Sequence, residues 1–176
     1  MSSGDDQMKK ATAKKHILVI DDDPVQLRMI KGFLEDIYEV TLIPSGKTAI
    51  EYLIDYSPDL ILLDYEMPLY NGPTVLKIIR SKEKSKDIPV FFLTGATDKE
   101  IVLECLSYNP AGYMVKPVTK KGLTSKLAEF FDPSLKHDSE FDTDADELMR
   151  EAMRERIIAR VNEKMQLQKN DGDDDE

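Results

Sequence analysis

The chain has 176 residues, 41% of them apolar, and a formal net charge of −10, which fits one domain with one core and an extension. No apolar run approaches the about 20 residues that cross a bilayer, and the polar start MSSGDDQMKKATAKK lacks the apolar stretch of a secretory leader. The single cysteine, Cys105, excludes an internal disulfide and any zinc-ligand spacing, so a reducing, cytoplasmic setting away from membranes is expected.

The charge is uneven. Residues 1–131 hold 17 Lys and Arg against 19 Asp and Glu, whereas residues 132–176 hold 7 against 15. An acidic C-terminal part opposes contact with a phosphate backbone, which needs concentrated positive charge, so no nucleic-acid partner is expected.

Residues 1–14 read as a disordered polar segment. A β-rich run, His16–Ile20 (HILVI), comes next, followed by helical spacing of Val25, Leu27, Ile30 and Leu34. Within Asp21-Asp22-Asp23, Asp23 suits an N-cap and Pro24 a first helical turn. The second strand is predicted at Tyr38–Ile43, and Ala49, Ile50, Leu53 and Ile54 mark the second helix. The third strand, Asp59–Leu63, is apolar from Leu60 onward and meets Asp64 at its end. Val75, Leu76, Ile78 and Ile79 mark the third helix. A fourth strand at Pro89–Thr94 precedes helical spacing of Ile101, Val102, Cys105 and Leu106. The fifth strand, Gly112–Lys116, precedes a fifth helix carrying Leu123, Leu127, Phe130 and Phe131. On that helical spacing Cys105 reads as a small apolar packing residue.

This alternation predicts an α/β fold, a doubly wound parallel sheet with helices on both faces. Right-handed crossovers leave few topologies, and five strands suggest the flavodoxin-like (βα)5 order 2-1-3-4-5. Functional groups then belong at the carboxyl ends of the strands. There the chain places Asp21 and Asp22 after strand one, Asp64 at strand three, Thr94 at strand four and Lys116 at strand five. Any one of these has an ordinary explanation: a helix cap, a strand end, a solvated lysine. Their joint placement on one rim is what points to chemistry. Three close carboxylates repel and call for compensating positive charge. Hard oxygen ligands suit Mg²⁺, while Lys116, Thr94 and nearby backbone N–H groups could hold an anion beside Asp64. A carboxylate in such surroundings can itself be the nucleophile of phosphoryl transfer.

At these residues the chain resembles the receiver domains of bacterial two-component response regulators, of the chemotaxis-regulator kind. The resemblance spans about His16 to Phe131 and rests on ILVIDDDP, LILLDYEMPLYNG, VFFLTG and GYMVKP, in that order and spacing, with Gly72 eight residues after Asp64. It implies that Asp64 is the phosphoacceptor and that Asp21, Asp22 and Asp64 hold Mg²⁺ with the backbone carbonyl of Glu66. It further implies that Thr94 and Lys116 bind the phosphoryl oxygens, that Tyr113 is the switch aromatic paired with Thr94, and that the Lys116–Pro117 bond is cis. The chain would then be a phosphoacceptor with self-catalysed phosphotransfer and slow autodephosphorylation, not a conventional enzyme. Its donor would be a sensor histidine kinase or phosphotransfer protein. Its output surface would comprise the fourth helix, fifth strand and fifth helix, read by a downstream protein. Two features depart from the family's usual pattern: acidic Glu66 two residues after Asp64, and SYNPAGY, Ser107–Tyr113, in place of an Ala-Gly-Ala turn.

Two other readings use the same residues. A Mg²⁺-dependent aspartyl-phosphate phosphatase of the haloacid-dehalogenase kind wants D-x-D, whereas Glu66 stands at that second position. A phosphorylation-independent receiver scaffold would be marked by loss of an acid, the threonine or the lysine, and all are present.

Beyond residues 15–132, assigned to the receiver, residues 133–146 read as a polar linker. Residues 147–168 (ELMREAMRERIIARVNEKMQLQ) read as one amphipathic helix, and residues 169–176 as an acidic disordered tail. Asp144 is a plausible N-cap. Leu148, Met149, Ala152, Met153, Ile157, Ile158, Val161 and Met165 recur mostly at four-residue steps, so the apolar stripe winds and any fixed heptad frame puts a charge in the seam. The helix is expected to pack on the receiver, on a second copy as a homodimer, or on a partner, and to regulate or replace a separate output domain.

Overall fold

The computed structural model describes residues 13–95 and 108–135, together with Glu151 and Ile158. The predicted fourth helix, residues 101–106, lies outside the described residues, and so do the N-terminal residues 1–12. Of the extension, the 3₁₀ turn Pro133–Leu135 is described, as are Glu151 and Ile158, both helical and exposed.

The strands are β1 His16–Ile20, β2 Glu39–Ile43, β3 Leu60–Asp64, β4 Val90–Thr94 and β5 Gly112–Val115. The helices are α1 Pro24–Leu34, α2 Gly46–Asp55, α3 Gly72–Ser81 and α4 Lys120–Phe131, the last being the fifth helix of the sequence expectation. All pairings are parallel, in the order β2-β1-β3-β4-β5. The flavodoxin-like arrangement is therefore as expected, and it follows from right-handed crossovers between strands that need cover on both faces.

Period-two alternation along the strands divides the core in two. Leu18, Ile20, Ile61, Leu63 and Phe92 pack with Ala49, Leu53, Val75 and Leu76 on the α2–α3 side. Ile17, Val19, Leu60, Leu62 and Leu93 pack with Leu27, Ile30, Leu34, Leu123 and Leu127 on the α1–α4 side. β3 and β4 are buried at every position, so a polar residue at either strand end is held by rigid neighbours.

Each of these helices starts on a side-chain cap. Asp23 accepts from Val25 N at 2.8 Å with Pro24 at the first helical position. Ser45 accepts from Thr48 N at 3.2 Å, Asn71 from Thr74 N at 3.0 Å and Thr119 from Gly122 N at 3.1 Å. These caps satisfy amides that have no partner inside the helix, and they sit at the edge where the strands end.

Several predicted boundaries shift, each for a local reason. Asp59 lies outside β3 because its carboxylate ties two strand starts together, accepting from His16 N at 2.8 Å and Lys15 Nζ at 2.7 Å. Pro89 precedes β4 and contributes only its carbonyl, to Ile61 N at 2.9 Å, since proline has no N–H for the ladder. Tyr38 precedes β2 and is buried, its ring 5.9 Å from that of Phe131. Lys116 follows β5 instead of ending it, although its N–H still reaches Thr94 O at 2.8 Å. Val25 and Ile54, which fall on the helical spacing, are exposed.

Candidate functional site

β1, β3 and β5 deliver three ionisable side chains to one point. By alternation, Asp21, Asp64 and Lys116 continue the α1–α4 parity set by Val19, Leu62 and Met114. They therefore meet on the same side of the sheet's carboxyl edge. Lys116 Nζ donates to Asp21 Oδ2 at 2.8 Å and to Asp64 Oδ1 at 2.8 Å. Asp21 and Asp64 are buried, at 1% and 5% exposure. Asp22 is exposed, and one ligand oxygen from each of Asp21, Asp22 and Asp64 lies within 4.8 Å of the others.

The electrostatics are those of a crowded, desolvated acid pair. Burial pushes the Asp64 carboxyl above the ordinary carboxylate range. The Lys116 hydrogen bond opposes this, the Asp21 charge adds to the rise, and a hydrogen bond with the Glu66 backbone opposes it again. Burial would lower the Lys116 ammonium, but hydrogen bonds to both carboxylates outweigh that and hold it above its usual value. One ammonium thus serves two buried acids, which leaves negative charge at the rim.

Local structure explains how each group is fixed. Asp21 Oδ1 accepts from Asp23 N at 2.9 Å, and Asp21 N donates to Ile43 O at 3.3 Å, so Asp21 is held at both ends while Asp23 caps α1. Asp64 closes β3, and the turn after it returns through Gly72 N, which donates to Tyr65 O at 2.9 Å. Gly72 must lack a side chain. A Cβ there would stand 2.5 Å from Asp64 O and 2.9 Å from both Tyr65 Cα and the Phe92 ring. The Lys116–Pro117 bond is cis, as the resemblance implies.

Thr94 is buried at the end of β4, one position beyond Leu93, which pairs with Asp64. By alternation Thr94 shares the opposite, α2–α3 parity with Phe92 and Tyr113. Tyr113 is buried, and Lys126 Nζ sits 4.9 Å from its ring centroid. The Glu66 side chain is exposed beside the rim. The geometry thus gathers Asp21, Asp22, Asp64 and Lys116 directly, with Thr94 and Tyr113 on the neighbouring strands.

Two features of the site are not anticipated by the sequence. The sequence suggests an anion as the partner of Lys116, yet Lys116 bridges two acids; the unbalanced charge of the acid trio is the available signal. Leu69 has φ 67° and is fully exposed in the β3–α3 turn. A branched aliphatic residue gives no sign of a left-handed position, which Gly and Asn normally mark.

Known proteins resemble this chain over most of its folded body. The chemotaxis protein CheY-3 of Vibrio cholerae is 32% identical over 118 residues, covering 66% of this chain and 91% of that protein. Two longer curated relatives are matched over only 13% and 25% of their own length. Among solved structures, the Vibrio cholerae chemotaxis protein CheY4 aligns with a TM-score of 0.64 at 28% identity, over 67% of this chain and 99% of that one. The receiver domain of the sensor histidine kinase PA1611 from Pseudomonas aeruginosa, solved with a magnesium ion in its active-site cleft, aligns with a TM-score of 0.62 at 28% identity. It covers 67% of this chain and 98% of that one. The response regulator receiver domain family matches residues 17–128, more than half the chain, and the protein belongs to that family.

Proposed function

We propose that this chain is the phosphoryl-accepting, switching component of a two-component phosphorelay, with Asp64 as the acceptor. The observation that carries the reading is the buried Asp64 carboxylate at the end of β3. It is bridged through Lys116 to Asp21, with a ligand oxygen of Asp22 inside the same 4.8 Å group.

An Asp64 carboxylate oxygen attacks the phosphorus of a phosphohistidine on a sensor histidine kinase or phosphotransfer protein. The P–O bond forms as the P–N bond breaks, and the imidazole leaves. Lys116 moves from bridging two carboxylates to offsetting the new phosphoryl charge, and Thr94 Oγ1 donates to a phosphoryl oxygen. The donor set fits a hard divalent cation: Asp21, Asp22 and Asp64, with the Glu66 carbonyl, would hold Mg²⁺, which supplies charge neutralisation at the transferring group. Thr94 and Tyr113 share one side of adjacent strands, so movement of Thr94 toward the phosphoryl group opens space for the Tyr113 ring and shifts a two-state equilibrium at the neighbouring surface. A downstream protein reads that surface. Hydrolysis of the acyl phosphate, with Glu66 beside the water route, resets the switch.

Incubation with Mg²⁺ and acetyl phosphate, followed by intact-mass measurement, tests the reading. One phosphoryl adduct that disappears in Asp64→Asn is expected. Absence of any adduct refutes phosphoacceptance and leaves a scaffold. Rapid multiple turnover of phosphorylated metabolites refutes the switch in favour of a phosphatase.

A further inference from the structure

A second feature lies at the opposite edge of the sheet, remote from Asp64 and independent of the phosphoacceptor reading. The C-terminal ends of α2 and α3 diverge there and leave a groove of about 360 Å³. Leu53, Ile54, Ile78 and Ile79 form its apolar wall, and Lys82, Glu83 and Lys84 stand on its rim. Lys84 Nζ donates to Ile54 O and Ser85 Oγ to Ile79 O, so the groove is braced. Ile54 is 66% exposed. Ile37, Tyr56 and Leu135 are exposed apolar residues at the same edge.

The chain leaves the folded body at this edge. Phe131 ends α4 with its ring 5.8 Å from Lys15 Nζ, and Lys15 immediately precedes β1. The 3₁₀ turn ends at Leu135. From there residues 136–146 reach about 36 Å when extended. Crossing from one helix layer to the other requires about 20 Å, two layer spacings of roughly 10 Å. The segment that arrives carries Leu148, Met149, Ala152, Met153 and Ile157 at helical spacing. Glu151 and Ile158 are helical, and Ile158 is 58% exposed, an apolar residue left uncovered. Asp142, Asp144 and Asp146 precede that surface, whereas Glu147, Glu151 and Glu155 along it are balanced by Arg150, Arg154 and Arg156, so the acidic complement to Lys82 and Lys84 comes from the tether. Methionines suit an irregular groove because they adapt their shape.

From these observations we infer that residues 147–158 dock in cis, as a helix, in the groove between the C-terminal ends of α2 and α3. A tether of this length sets a local concentration in the millimolar range, which favours the attached segment over a second copy or a separate partner.

Amide hydrogen exchange on the full-length protein tests the inference, with the monomeric mass checked by light scattering. The variant Met153→Asp/Ile157→Asp alters only the docking segment, and Ile54→Asp alters only an exposed groove residue, so neither challenges the core. Docking predicts that Met153→Asp/Ile157→Asp speeds exchange in residues 50–55 and 78–85 by about tenfold or more while β1 and β3 stay unchanged. It also predicts that Ile54→Asp speeds exchange in residues 147–158 to a similar degree. Unchanged exchange in either segment overturns the proposal. Protection that appears only with a dimeric mass, or that grows with protein concentration, assigns the groove to a second copy and also overturns it. Phosphorylation enters neither readout, so failure here is distinguishable from failure of the phosphoacceptor reading.

Discussion

Replacement of Gly72 by alanine should cripple the geometry around Asp64 while adding one carbon. The added Cβ would stand 2.5 Å from Asp64 O and 2.9 Å from Tyr65 Cα. Both are backbone atoms of the strand end and its first turn residue, and neither can rotate away. The third neighbour is the Phe92 ring, on a fully buried residue. Overpacking of this kind costs about 1–3 kcal/mol, and the fixed partners place Gly72→Ala at the upper end. A loss of about 3 kcal/mol lowers the melting temperature by roughly 6–12 °C, at 2–4 °C per kcal/mol for a chain of this size. Gly32→Ala is the internal control. Gly32 lies within α1, and a methyl group added there would meet no described atom within 4 Å. Alanine should therefore stabilise by about 0.5–1 kcal/mol through helix propensity and reduced unfolded-state freedom. Urea denaturation of the two variants beside the parent reads opposite signs. A Gly72→Ala protein as stable as the parent refutes the steric account of the β3–α3 turn.

The rim makes further predictions. Asp64 is held above the ordinary carboxylate range, so its contribution to stability is full at low pH and is lost as pH rises from its unfolded value through its folded one. Asp64→Asn should therefore be neutral or stabilising at pH 7 in metal-free buffer, and a loss beyond about 2 kcal/mol in urea would show instead that the Lys116 bond dominates. Lys116→Met leaves two buried carboxylates without their ammonium and should cost about 3–5 kcal/mol. Adding Asp64→Asn to it should recover part of that loss, and simple additivity in the double-mutant cycle would contradict the shared bridge. Asp59 is shifted the other way: burial raises it, but hydrogen bonds from Lys15 and His16 N, together with their charges, lower it overall. Its contribution is present above its unfolded value and fades as pH falls through the folded one. Because Lys15 is half exposed, Asp59→Asn should flatten acid unfolding by less than about 1 kcal/mol. Millimolar Mg²⁺ should raise the melting temperature of the parent, by about 1.4 kcal/mol in stability at tenfold saturation, and an equal rise in Asp64→Asn would remove Asp64 from the ligand set.

The sheet is legible in the sequence because its central strands carry near-continuous apolar runs. LILL and VFFL need cover on both faces, which only a parallel, doubly wound sheet supplies. Strand-end placement then locates Asp21, Asp64, Thr94 and Lys116, since a buried strand aims its last side chain with little freedom. Long-range side-chain bonds are not legible. Nothing near Asp59 in the sequence announces that it holds His16 N from 43 residues away, so its neighbours alone make it look like strand. Ile54 satisfies the helical period yet faces solvent, because that period gives spacing along a helix and not how wide a stripe its neighbours cover. Leu69 at positive φ likewise sits in a turn that Gly72 N closes on Tyr65 O, a bond its neighbours in sequence do not announce.

The charge count at the rim explains why burial of Asp64 and the bridge by Lys116 belong together. Two buried carboxylates face one ammonium, so the pair carries a residual negative charge that the exposed Asp22 deepens. A fully neutralised rim would be more stable and would have no affinity for a cation. A rim without Lys116 would remove the hydrogen bond that opposes the burial-driven rise of Asp64 and so weaken its carboxylate form. The observed arrangement lies between these limits: Lys116 is donor enough to keep Asp64 from rising further, yet it is shared with Asp21. A phosphoryl group on Asp64 would carry a charge of about −1.5 to −2 in place of the carboxylate's −1, more than a shared ammonium can offset. In this reading the added charge draws Lys116 away from Asp21 and recruits a hydroxyl, for which Thr94 stands at the end of the adjacent strand. The switch in this reading is set by a shortage of positive charge at the strand ends, and the Lys116–Asp64 double-mutant cycle measures that shortage directly.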